Sequence, residues 1–513
     1  MKIETETTTT TNTNTTIEAE ERSFILKILD ILRNDQYIFY LIFSTLLIWC
    51  ISYLYLPHYI IPKKLLGQDS SGFKIFAAQI VTIKVLLVTF FLLYRGISQR
   101  VVIMLLATGA IILIGQFIGF YNASYAFQKI NVSSVSLLFG MSLISIIIAE
   151  TKCFEIIALK LMQKFGNSHF ALFIVLCIST YIFSLFMNSF IAIFLVVPIT
   201  LNLTNNLKLN SVPFIIGEII ATNLGGTSTM MGDFPNIIIA TRLHIPLDMF
   251  IKYLMPICLV NLSVMFIYFY KRVDFNINSK ESGVLLSEVY PPEVYSPSFK
   301  IEHHLALIFS IVVVLALAST DIFFTSLDPG LSTLVAGFIL FCICGIDKKQ
   351  IIKKIRYDDT LFYILIFAFL GGIEASGLLT TISNIISQIS FDNNIIKCLL
   401  LMWSASFITM IFGAGPTAAL FLPLFMSLNI DNITNNSIKV LSIEHSAIWA
   451  LSLGVCAGSI GILDVTLLGP GSTARRKQNN IINYFNYSKI GLPMMYFQLL
   501  VSTIYILVLF IIQ

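Results

Sequence analysis

Residues 221–240 read ATNLGGTSTMMGDFPNIIIA. They bring one carboxylate (Asp233), three hydroxyls (Thr227, Ser228, Thr229) and two amides (Asn223, Asn236) into an otherwise apolar run. Gly225 and Gly226 permit unusual backbone angles and close approach. Pro235 can open a second half-helix, since the N–H it lacks is not needed there. A helix interrupted in a bilayer frees N–H and C=O groups that must find partners, and such ends bind ions: N-termini attract anions, freed carbonyls take cations. A carboxylate added to that set suits a group that trades a proton for a cation, because desolvation favours its neutral form until a cation arrives. The competing reading is a loop between two short helices; intramembrane carboxylates are costly, which favours function.

The elements that must position these residues are membrane helices. The 513-residue chain is 57% hydrophobic and only 12% charged, and repeated continuous apolar runs of about twenty residues select helices over a barrel. The predicted fold class is an all-α polytopic membrane protein. Its net charge of +4 gives no reason to expect a nucleic-acid partner. The eight cysteines lie mostly in apolar stretches and read as buried small hydrophobes. His303, His304 and His445 lack zinc-ligand spacing, so no metal is expected. Residues 1–36 are polar and low in complexity and should form a disordered cytoplasmic tail. A first membrane repeat with its preceding helices is expected over 37–270, a cytoplasmic linker over 271–301 and a second repeat over 302–513. Candidate spans lie near 37–61, 75–94, 101–120, 132–149, 247–270, 303–320, 329–345, 360–373 and 490–512. Two charge-free stretches, 165–207 and 398–430, are long enough for helical hairpins. Placing the basic loops around 348–356 and 475–489 in the cytoplasm gives about eleven crossings, with the N-terminus inside.

The halves repeat. Glu150 and Glu374 are 224 positions apart, Pro198 and Pro423 are 225 apart, and Gly225 and Gly458 are 233 apart. An odd number of crossings separates them, so the halves should be inverted, each with a hairpin and a broken helix. The first tip then offers Asn188 and Ser189, the second Gly415 and Thr417 within 413–417, and the second break Gly458 and Ser459 within 458–461. Candidate proton-coupling acids are Asp233, Glu218 (placed one turn before the break), Glu150, Glu374 and Asp464. Glu150 and Glu374 read equally well as interfacial residues.

The stretch GGTSTMMGDFPNI closely resembles the Gly-Gly-Thr-x-Thr-x-x-Gly-Asp-Pro-Pro-Asn signature of the ion transporter superfamily. Its members include arsenite permeases, D-type sodium/proton antiporters and divalent-anion/sodium symporters. The hairpin SLFMNSFIAIFLVVPI and the AET at 149–151 fall where that family has its first tip and acidic helix start, and the resemblance runs from about residue 75 to the C-terminus. It implies two inverted repeats meeting at the binding site, an elevator-like or rocking movement, and the dimers usual for relatives. The chain departs from the pattern at Met187-Asn188 (often Asp-Asn), at GAGPT in the second tip, at Cys456 where Asn is expected, and at Phe234 in place of the first proline. Asp233 matches the arsenite and antiporter branches rather than the divalent-anion symporters, which usually have Thr.

These readings converge on an ion-coupled secondary active transporter of a small ion or anion in the lipid bilayer, expected in the plasma membrane. It needs no cofactor beyond a coupling Na⁺ or H⁺, and no nucleophile, nucleotide or metal motif suggests an enzyme. Sodium/proton exchange leads. Sodium- or proton-coupled anion transport (dicarboxylate, citrate or an arsenite-type oxyanion) is the alternative, and an ion channel is the reading from another class.

Overall fold

The structure is a computed structural model describing residues 70–95, 99–151, 168–207, 209–243, 245–272, 328–344, 346, 348–391, 393–428, 446–461 and 484–512. The expected tail 1–36, the spans near 37–61 and 303–320, the linker beyond Arg272, and Asp464 lie outside the described residues. The chain divides into a unit of residues 1–77 and a unit of residues 78–513; of the first, only the opening of one helix is described.

Among the described residues every regular element is a helix. The first half has α1 (Ser70–Arg95), α2 (Arg100–Ile118), α3 (Ala123–Lys129), α4 (Val132–Glu150), α5 (His169–Phe186), α6 (Ser189–Asn206), α7 (Ser211–Thr227), α8 (Phe234–Leu243) and α9 (Leu247–Arg272). The second has α10 (Pro329–Ile343), α11 (Lys348–Lys354), α12 (Tyr357–Ala375), α13 (Leu378–Ile389), α14 (Asn394–Phe412), α15 (Ala414–Ser427), α16 (Ser446–Gly461) and α17 (Tyr484–Ile512). Short polar side chains set many of the starts, since the first N–H groups of a helix have no internal acceptor. Asn131 accepts from Ser134 N, Ser168 from Ala171 N, Asn210 from Val212 N, Asp328 from Gly330 N, and Asn393 from Ile395 N.

Among the described residues, seven helices are long and apolar enough to cross a membrane, and the pair α12 and α13, bent by 68°, makes an eighth if counted as one span. Four apolar helices are shorter, within α6, α10, α15 and α16. A helix of about fifteen residues rises about 22 Å, less than the roughly 30 Å hydrocarbon core.

Lipid tails are as apolar as leucine, so helices associate in a bilayer by close packing and hydrogen bonds rather than by hydrophobic transfer. The packing here follows that rule. Gly330 on α10 sits against the Ser133 carbonyl in the first turn of α4, and Gly140 on α4 against the backbone of Thr333 and Leu334 on α10. Helices α7 and α16 are enclosed all round, with Pro213–Thr227 and Ser446–Gly461 buried. These two are the repeat mates that carry Gly225 and Gly458.

Residues at these sequence offsets make matching contacts. A side chain at Gly225 would overlap the Tyr181 carbonyl and crowd Ser184 Cβ, and one at Gly458 would overlap the Ser406 carbonyl and crowd Thr409 Cβ. Ser406 and Thr409 lie 225 positions after Tyr181 and Ser184. Lys129, just before α4, pairs with Glu374 at the end of α12 (2.8 Å). Lys354, just before α12, pairs with Glu150 at the end of α4. The two lysines are themselves 225 positions apart. The start of each helix thus lies beside the end of the other, so α4 and α12 run antiparallel. Asn223 donates to the carbonyl of Cys456, its own mate at an offset of 233 (2.6 Å).

The glycine contacts predict a sharp contrast. Gly225→Ala and Gly458→Ala should each destabilise the protein by about 1–3 kcal/mol through overpacking. Gly109→Ala, with nothing within 4 Å of the added carbon, should be neutral or mildly stabilising. Thermal unfolding in detergent measures all three, and equal losses at Gly109 and Gly225 would refute the contact argument.

Candidate functional site

Helix α7 does not break at its glycines. It continues through Gly225 and Gly226 to Thr227, and the non-helical segment is Ser228–Asp233. Neither glycine has positive φ, so the expectation of unusual backbone angles there is corrected: the pair serves close approach. Gly225 seats α7 on the α5 backbone, and Gly226 lies against Ser189 Oγ, Gly232 and Asp233 Cβ. Their missing side chains let the hairpin tip and the returning strand of the break both reach the same turn of α7.

Asn236 fastens that turn. Its amide donates to the carbonyls of Thr227 (2.8 Å) and Thr229 (3.0 Å), and its own carbonyl oxygen accepts from Ser452 Oγ on α16 (2.6 Å). Carbonyls at a helix C-terminus inside a bilayer have no water to accept from, and Asn236 supplies their donor while tying both halves together. Ser228 closes the end of α7 from within, with N–H bonds to Leu224 and Gly225 carbonyls, and its hydroxyl meets Tyr181 Oη (2.7 Å). Thr227 and Thr229 donate to the Asn223 and Leu185 carbonyls.

The first tip joins the same assembly through one of its two predicted residues. Ser189 donates to the Gly232 carbonyl through both N–H (3.0 Å) and hydroxyl (3.1 Å), and Ser184 donates to the Thr222 carbonyl (2.7 Å). Asn188 lies elsewhere. It lines a cavity of about 20 Å³ with Ser142, Arg356, Thr360 and Tyr363, enough for a water molecule. Asp233 is the charged side chain of the break, partly exposed, and its Oδ1 accepts from Phe234 N, the first residue of α8 (2.9 Å). Pro235, second in that helix, brings no N–H, as the sequence leads one to expect.

The second half contributes differently from the expectation. Thr417 Oγ1 donates back to Gly413 O (2.9 Å), and Ser459 Oγ to Cys456 O (2.7 Å), so both hydroxyls serve their own helices. Gly458 lies within the continuous helix α16, and Gly413 alone connects α14 to α15, with φ of +88°. Gly415 lies against the Tyr363 and Phe234 rings, which stack on each other. Among the described residues, the second half reaches the break through Ser452 Oγ and the Cys456 carbonyl, with the Cys456 thiol close enough to Asp233 and Thr227 to interact with them.

The remaining acids separate from the break. Glu150 and Glu374 sit in the lysine pairs described above. Glu218 lies nine residues before the end of α7, about 13 Å along the axis, so its expected place one turn from the break is corrected. Tyr181, Ser184, Ser452, Phe234 and Tyr363 were not among the residues predicted from sequence. Tyr181 and Ser184 had a detectable signal: two hydrogen-bonding side chains one turn apart in a charge-free hairpin limb.

Apolar helices packed around a buried, hydrogen-bonded helix interruption define a multi-pass integral membrane protein. The chain belongs to the citrate transporter family, whose sequence model matches residues 88–454, well over half of its length. It is similar to the magnetosome protein MamN of Magnetospirillum gryphiswaldense, with 30% identity over 450 residues, covering 84% of this chain and 99% of that protein. It is also similar to an uncharacterised transporter of Mycobacterium tuberculosis, with 22% identity over 410 residues and coverage of 78% and 92%. Among solved structures, the YdaH transporter of Alcanivorax borkumensis matches 74% of this chain and 84% of its own, at 14% identity and a TM-score of 0.47.

The Asn236 clamp predicts a selective failure. Asn236→Ala removes two donors to buried carbonyls and the acceptor for Ser452, and should destabilise the protein by about 2–4 kcal/mol. Ser452→Ala should lose less than half of that, since Asn236 keeps its bonds within the break. Comparing the two unfolding midpoints in detergent checks the order; a larger loss in Ser452→Ala would contradict it.

Proposed function

We propose that the protein is an ion-coupled secondary transporter that exchanges a cation such as Na⁺ for protons by alternating access, with Asp233 as the cation-binding carboxylate. The observation that carries this reading is the position of Asp233. Its carboxylate caps the N-terminus of α8, where an anionic substrate would otherwise find free N–H donors and a favourable dipole. Phe234 N is taken by Oδ1, Pro235 has no N–H, and Ile237 N bonds the Asp233 carbonyl. A site so arranged repels a bare anion and suits a cation or a proton.

The two membrane halves act as inverted repeats about a pseudo-two-fold axis. The reading is supported by the exchanged Lys129–Glu374 and Lys354–Glu150 pairs, by the matching glycine contacts, and by the bond between the mates Asn223 and Cys456. One body, built on α4, α10 and α12, frames a second that carries the hairpins and the break. Among the described residues, polar bonds between them include Ser134 with Thr241 and Asn188 N with Ser145 Oγ, and in this reading the second body shifts as a unit. In this reading the basic helix α11 and the N-terminus lie on the cytoplasmic side of the cell's inner membrane, as the positive-inside rule favours.

A second reading, coupled transport of a carboxylate anion, is favoured by the family's description as citrate transporters. Reconstituted vesicles loaded with a pH indicator separate the two. Sodium or lithium gradients should move protons, and Asp233→Asn should reduce that flux by about tenfold or more. Sodium-dependent citrate or succinate uptake left intact by Asp233→Asn would overturn the exchanger.

A further inference from the structure

Glu218 is wholly buried, yet the break makes no use of it. It lies on α7 eight residues before Gly226, the residue that Asp233 touches, hence about 12 Å away along the axis. Thr200 on α6 donates its hydroxyl to Oε1, while Oε2 has no hydrogen-bond partner among the described residues. The Cys177 thiol on α5 lies beside Gly217, near enough to interact electrostatically with the carboxyl. Gly217, beside it, lets the Phe173 ring and Cys177 Sγ close over the helix. Helices α6, α9, α16 and α17, also packed on α7, bring no charged or titratable group to Glu218 among the described residues.

The repeat supplies a control built into the same chain. At the offsets that relate the halves, Glu218 corresponds to Leu451, Thr200 to Phe425 and Cys177 to Met402. All three mates are buried hydrophobes. The same packing position is therefore filled by Leu, Phe and Met in one half and by Glu, Thr and Cys in the other. Packing this helix against its hairpin does not require a carboxyl. A carboxylate enclosed without a cation is among the costliest groups a membrane protein can hold, and the carboxylic acid is far cheaper.

We propose that Glu218, with Thr200 and Cys177, forms a proton-binding site of the carrier separate from the ion-binding break. Oε2 of the carboxylate takes one proton from hydronium, forming an O–H bond and leaving water. Release breaks that bond and returns the proton to water on the other side. Thr200 donates to Oε1 in both states, and Cys177 stays a thiol. The proposal deepens the exchanger reading and rests on it for the use made of the proton: cation and proton are bound at different residues.

Infrared spectroscopy of the protein in lipid at neutral pH tests the site without requiring transport. The wild type should show a protonated-carboxyl C=O stretch that is absent in Glu218→Gln and shifted in Thr200→Val. In vesicles loaded with a pH indicator, Glu218→Gln should lower sodium-driven proton flux by about tenfold or more, while shifting apparent Na⁺ affinity far less than Asp233→Asn does. Where Glu218→Gln does not accumulate, Glu218→Leu, the residue of the second half, replaces it in both measurements. A C=O band unchanged by the Glu218 variant, or proton flux equal to wild type, overturns the proposal. A wild type that moves no protons under Na⁺, Li⁺ or citrate gradients overturns the exchanger, and the infrared result still decides whether Glu218 holds the proton.

Discussion

A helix that ends inside a bilayer leaves carbonyls with no water to satisfy them, and the rest of this structure depends on how that is met. The end of α7 is the decisive case. Its last carbonyls are taken by Asn236, Ser228 and Thr227, and each partner needs another element held in register. Asn236 needs α8 to return beside α7, so Gly226 and Gly232 must lack side chains. Ser189 needs the α5–α6 hairpin pressed against α7, so Gly225 must too. Ser452 needs α16, the matching helix of the other half, at the centre of the molecule. The break is thus stable only as part of a two-half assembly.

The two halves share a frame and differ in chemistry. Equivalent glycines meet equivalent residues of the preceding hairpin limb, and equivalent lysines exchange partners across the molecule. Among the described residues, the polar side chains that meet at the break come mainly from the first half. Asp233, Asn236 and Ser189 build the break, and the second half supplies a serine, a backbone carbonyl and a thiol. A frame of close backbone contacts tolerates this divergence, because glycine contacts fix where helices lie without fixing what their other faces carry.

How far the sequence could be read depends on the range of the interaction concerned. Membrane helices were legible because twenty apolar residues in a row have few other solutions, and the polar break was legible because its composition violates that pattern. Local rules also placed Pro235 in the first turn of α8. They failed at Gly225 and Gly226, where composition suggested a turn and the helix continues; glycine marks close approach as readily as unusual angles, and only the neighbour reveals which. They failed again at Thr417 and Ser459, whose hydroxyls bond their own helices, a choice that spacing does not encode.

The sequence by itself determined an all-helical membrane protein with a charged, hydroxyl-rich interruption within 221–240, since hydropathy and residue type are properties of a single chain segment. Tertiary structure decided which of those polar groups act together. Asn188 and Ser189 are neighbours in the chain, yet one lines a cavity with Arg356 and the other holds the break. Glu218 reads as one turn before the break, yet it lies well inside α7 while Asp233 lies in the non-helical segment, with different surroundings. Hydrogen bonds reach about 3 Å, so which groups share a site is settled by the packing of helices distant in sequence.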